Sequence, residues 1–116
     1  MISYPPVVSS GGGAGAGLSS NHRDRPANPT AANGDPLIAS ALGEQPVGDI
    51  FVLVNGVEVG APSYGSKVGA VWFSNDGGGT AAFRTELQPD TTVHFNPSAA
   101  GFRTQVGDKI TLIYGV

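Results

Sequence analysis

The chain carries two histidines, His22 and His94, and neither has the neighbours that acid–base or metal chemistry requires. A catalytic centre needs a nucleophile, a base and a group that orients the base, or else a cluster of metal ligands. His22 lies in the polar stretch Asn21-His22-Arg23-Asp24-Arg25, and His94 stands alone between Val93 and Phe95. No second histidine falls at ligand spacing from either, so both read as surface or sheet-face residues. The carboxylates Asp35, Glu44, Asp49, Glu58, Glu86, Asp90 and Asp108 are scattered through turns and polar strand faces, as caps and solubility charges would be. There is no cysteine, which removes disulfides and any cysteine-based zinc site. No catalytic, cofactor-binding or metal-binding residue is assigned, no cofactor is expected, and the expected role is non-enzymatic.

The motif with the best-defined geometry is Ser74-Asn75-Asp76-Gly77-Gly78-Gly79-Thr80. A carboxylate in its middle can accept backbone N–H groups while the glycines take positive φ, which makes a hairpin turn. Ser74, Asp76, Gly78 and Thr80 match the pattern Ser-x-Asp-x-Gly-x-Thr-Trp, so the segment resembles the Asp box of sialidase-type propellers, with Ala81 where the aromatic usually stands. Propellers repeat the box in every blade, whereas here there is one copy, so a structural turn is expected. Calcium at Asp76 and Asn75 would find two oxygen donors where roughly six to eight are needed. The tract Gly11 to Gly17 lacks the strand, the helix and the Gly-Lys-Ser/Thr ending of a phosphate loop.

The elements that would position these residues divide the chain at about residue 46. Residues 1–46 hold six of the nine prolines, the glycine tract and one aromatic, Tyr4; residues 47–116 hold the other eight aromatics. The first stretch has too little apolar surface to offset its ordering entropy, so it reads as an extended arm that takes its order from a neighbour. Tyr4-Pro5-Pro6 favours an extended start, and Val7-Val8 could then add as a strand to another sheet's edge. Gly11, Gly12 and Gly13 let the backbone lie close to a second surface. Within the arm, Asp35-Pro36 looks like an N-cap and first helical position and Gly43 like a C-terminal stop, which predicts a short helix over 36–42. Arg23-Asp24-Arg25 is either solvated or set against an acidic patch of a partner.

Residues 47–116 read as strands. Ile50 to Val54 is a continuous apolar run, predicting a strand covered on both faces. Asn55-Gly56 supplies the two positive-φ positions of a type I′ hairpin turn, with Val57-Glu58-Val59 returning. Further strands are predicted over 67–73, over 80–87 by strict alternation, over 91–95, from Phe102, and over 109–114 with Ile110, Leu112 and Tyr114 inward. The fold class expected is all-β: a small antiparallel β-sandwich or barrel behind an extended Gly/Pro-rich arm.

Formal charge is −3 and the pI near 5.0, with six lysines and arginines, so no basic surface for nucleic acid is expected. The longest apolar run is five residues, too short for a membrane span, and Met1-Ile2-Ser3-Tyr4 lacks the features of a signal peptide. Synthesis in a cytoplasm follows. A β-domain of about 70 residues is near the lower limit for one core, and without disulfides the remaining staple is a homo-oligomer. Tyr64, Trp72, Phe73 and Phe102 are of the types that anchor interfaces and are assigned to oligomer or surface contacts.

Phe51-Val52-Leu53-Val54-Asn55-Gly56-Val57, Trp72-Phe73-Ser74-Asn75-Asp76-Gly77-Gly78 and Val93-His94-Phe95-Asn96-Pro97-Ser98-Ala99-Ala100-Gly101-Phe102 resemble phrases in small structural proteins of tailed bacteriophage virions. The layout is similar to capsid decoration (cement) proteins, with a Gly/Ala/Pro-rich arm before a compact β-domain. The resemblance implies a virion protein, a trimer, and other virion proteins as partners, the arm reaching the capsid protein's sheet edge. Two alternatives remain at this point. One is a tail, baseplate or fibre-tip subunit using loops 60–66, 75–79 and 96–101; the other is a carbohydrate-binding module with Trp72 or Tyr64 stacking on sugar.

Overall fold

Asn55 and Gly56 fold as their types require, with φ of 53° and 83°, and the two strands that they join belong to the larger sheet. The computed structural model describes residues 20–116. Six strands follow in order: β1 (Ser20–Pro26), β2 (Val47–Val54), β3 (Val57–Glu58), β4 (Val71–Ser74), β5 (Thr92–Phe95) and β6 (Lys109–Gly115). They form two antiparallel sheets, one in the order β1-β6-β2-β3 and the other β4-β5. Ile50, Val52 and Val54 of β2 and Ile110, Leu112 and Tyr114 of β6 meet Val71, Phe73, Val93 and Phe95 of the smaller sheet in one core. The inward set on β6 is the expected one. Asn55 also ties the hairpin to the turn before β6: its amide donates to Asp108 Oδ1 at 2.9 Å and its oxygen accepts from Lys109 N at 3.0 Å.

The arm expected over residues 1–46 is corrected for residues 20–46. β1 pairs along its whole length with β6, from Ser20 against Gly115 to Pro26 against Lys109. It escapes detection because it is an edge strand, where charged residues and proline are common. Arg23 and Arg25 are engaged within the chain. Arg23 binds the Glu44 carboxylate, and Arg25 donates to the carbonyls of Ala41 at 2.6 Å and Leu42 at 2.8 Å. The Tyr114 hydroxyl joins the same cluster, donating to the Leu42 carbonyl at 3.2 Å and contacting Glu44.

The helix expected over 36–42 is absent. Leu37 N donates to Val93 O at 2.7 Å, Leu42 N to Thr91 O at 2.9 Å and Gly43 N to Pro89 O at 2.8 Å, so the segment is an irregular, bent stretch tied to the carbonyls of 89–93. A seven-residue helix has little stability of its own, and these bonds satisfy N–H groups of the segment while still burying Leu37, Ile38 and Leu42. Three strand expectations also change. β2 is covered on one face only, leaving Phe51 44% exposed, because an antiparallel sheet of this kind packs one side. Residues 80–87 alternate in sequence but form a 3-10 turn at Arg84–Glu86, capped where Phe83 N donates to Glu86 Oε1 at 2.7 Å. Phe102 starts no strand: α1 (Pro97–Ala100) precedes it, capped by Asn96 and closed by Gly101 at φ 87°.

Candidate functional site

The Asp-box segment closes as its residues dictate. The Ser74 hydroxyl donates to Asp76 Oδ1 at 2.7 Å and accepts from Gly78 N at 2.9 Å, while Thr80 N donates to Asp76 Oδ1 at 2.8 Å. These bonds, the Ser74 hydroxyl first, lower the Asp76 carboxyl to a pKa of about 2. Asn75 is equally engaged, its oxygen accepting from the Thr91 hydroxyl and its amide donating to Glu86 O at 2.9 Å. Ser74, Asp76, Gly78 and Thr80 therefore act together as a turn, as expected from their spacing.

Behind this turn lies a cluster that no spacing in the sequence announces. β4 and β5 place Trp72 directly opposite His94, and the two rings stack at 4.5 Å between centroids, 19° from parallel. Lys67 Nζ stands 5.0 Å from the Trp72 ring centroid and donates to the carbonyls of Gly78 at 2.9 Å and Gly79 at 3.1 Å. The indole N–H donates to Asn33 Oδ1 at 3.2 Å. Trp72 and His94 are both fully buried, one face of their sheet closed by the main core and the other by this cluster.

Two assignments to surface contact are thereby corrected: Trp72 and Phe73 are each 0% exposed. All four residues of β4 are buried, because both faces of this two-stranded sheet are covered. Tyr64 is half-buried and stacks on Phe73 at 5.6 Å, where burial raises its hydroxyl pKa. Phe102 alone among the four is exposed, at 40%, resting its ring on Phe95 at 5.5 Å. Trp72 offers no platform for a sugar. The arm residues Tyr4, Pro5, Pro6, Val7, Val8, Gly11, Gly12 and Gly13 lie outside the described residues.

His94 is the residue here with latent chemistry, and it is not the sheet-surface residue expected. Its Nε2 lies 2.6 Å from the Thr92 hydroxyl, which itself donates to Ser74 O at 3.1 Å. The Nδ1 atom has no hydrogen-bond partner among the described residues. Burial lowers the His94 pKa, against the backbones of Asp35 and Gly34 and the Asp35 charge, which raise it, and with the Lys67 charge adding to the lowering. The consequence has a definite sign. Below pH 6.5 the unfolded chain takes up a proton on His94 that the folded chain refuses, so stability is full above that pH and declines as pH falls toward the folded-state value. The slope reaches at most about 1.4 kcal/mol per pH unit. Urea midpoints between pH 7.5 and 5.5 should fall for the natural chain and much less for His94→Phe; equal slopes would contradict a neutral buried imidazole.

Among the described residues no three His, Cys, Asp or Glu side chains group as a metal site would, and no helix is long and apolar enough to cross a membrane. Comparison of the chain with family models, with curated proteins and with solved structures finds no match.

Proposed function

We propose that this chain is a non-enzymatic structural subunit of a tailed-phage particle, a capsid decoration protein that grips the shell through its first 17 residues. One observation carries the reading. The core of the described fold runs from Ala31 to Tyr114, and β1 already closes the sheet edge at Ser20. The Tyr4-Pro5-Pro6-Val7-Val8 phrase and the glycine tract precede all of it. The segment that precedes the described core serves, in this reading, another surface, and its prolines reduce the entropy lost when such a segment is ordered. In this reading the two sheets make a small β-sandwich, three copies assemble, and Phe102 with the loop around it supplies exposed contact.

Removal of residues 1–17 should abolish co-sedimentation with undecorated shells of the parent particle while the melting temperature stays unchanged. Full shell binding by the shortened chain would count against the segment as the anchor.

A further inference from the structure

The outer face of the four-stranded sheet is apolar at one end only. Cross-strand register sets Val47 beside Gly115 and Ser20, then Phe51 beside Ile113 and His22, then Leu53 beside Thr111 and Asp24. Val47 and Phe51 are each 44% exposed, Ile113 lies between Phe51 and His22, and Gly115 brings no side chain to the row of Val47. Past this end the face turns polar: Asp24 accepts from the Thr111 hydroxyl at 2.8 Å and stands 3.6 Å from Lys109. The described chain enters the sheet at Ser20, in the same row as Val47.

We propose that this patch is the docking site for the chain's own segment 4–8, Tyr4-Pro5-Pro6-Val7-Val8, bound in cis. Three quantities select this occupant. The patch exposes on the order of 200 Å² of side chain, far below the roughly 800 Å² per partner of a stable interface, so a second globular copy gains little there. A five-residue phrase fits it, and an extended Pro-Pro pair suits an aromatic such as Phe51, as in the recognition of polyproline segments by aromatic-lined grooves. Reach is the third. From Ser20 to Phe51 is two strands across and two residues along, about 12 Å. Residues 9–19 connect the phrase to Ser20, and eleven residues can reach at most about 36 Å, well beyond the gap. A connection long enough for the gap makes the contact intramolecular, at an effective concentration of about 1 mM. A contact of millimolar affinity is then half-formed within one chain and nearly empty between chains at micromolar concentration.

The inference stands apart from the virion reading, since it concerns the free chain. In combination with it, the same segment would be parked on its own sheet before a shell surface competes for it. The test uses full-length chains throughout. Amide spectra of the natural protein and of Tyr4→Ser/Val7→Ser/Val8→Ser should differ at Val47, Phe51 and Ile113, and the difference should persist on dilution. Phe51→Ser, at a position outside the core, should erase it. Unchanged amides at those three positions would overturn the proposal, as would a difference that fades on dilution, which would assign the patch to contact between copies.

Discussion

Gly78→Ala should cost more stability than any other single-methyl substitution in the turn. Gly78 has φ of 104°, and a Cβ there would stand 2.4 Å from the Gly34 carbonyl oxygen and 3.2 Å from His94 Cε1. The first contact is with backbone, so relief requires the 33–36 loop to move away from the Trp72–His94 stack that it covers. Strain at a positive φ costs about 1–3 kcal/mol by itself, and displacing a packed loop raises the total to roughly 3–5 kcal/mol. For a domain of this size that is a drop of at least about 12 °C in Tm. Gly77→Ala isolates the backbone component, because Gly77 has φ of 75° and open space around its missing Cβ. It should lose only about 1–2 kcal/mol. Equal losses at the two positions would show that Gly34 does not close on the turn.

Trp72→Ala is the second large effect, and it separates a core residue from an interface residue. The truncation removes a fully buried indole together with its stack on His94, its contact with the Lys67 ammonium and its bond to Asn33. Emptying such a site costs about 3–5 kcal/mol. Trp72→Phe keeps an aromatic against the imidazole but fills less of the buried site and gives up the bond to the exposed Asn33, which should cost nearer 1–2 kcal/mol. Urea denaturation of the two variants reads both values. Unchanged stability in Trp72→Ala, accompanied by a smaller oligomer, would return Trp72 to the surface role that its residue type first suggests.

What could be read from the sequence was local. Asn55-Gly56 and the Ser74–Thr80 turn fold as read because each is fixed by its own φ preferences and side-chain acceptors, with no help from distant residues. The inward set Ile110, Leu112 and Tyr114 was legible for the same reason, since a period of two along one strand names its buried face. Segment 36–42 was misread because its apolar residues suit a short helix and a bent, non-helical stretch alike, and the carbonyls of Pro89, Thr91 and Val93, far away in sequence, decide between them. β1 was missed because Ser20–Pro26 is polar throughout and its strand character comes from pairing with β6, over eighty residues downstream.

The Trp72 cluster was illegible in a stricter sense. Asn33, Lys67, Trp72 and His94 come from four separate segments, and only the pairing of β4 with β5 sets the indole over the imidazole. Aromatic type alone pointed Trp72 outward, although a two-stranded sheet covered on both faces has no outward side. Lys67 carried one weak signal, a lone cation close before the strand that bears the tryptophan. His94 carried none: a histidine between Val93 and Phe95 alternates to the opposite side of the strand from the core, and that side is buried here only because the 33–36 loop folds over it.

The proposed role turns on where the chain resides and in what number. Quantitative mass spectrometry of purified parent particles, counting this chain against the major capsid protein, addresses both together. A shell-decorating subunit should be present at hundreds of copies per particle, in a fixed ratio to the capsid protein. A count of a few to a few dozen, or absence from the particle, would contradict the account.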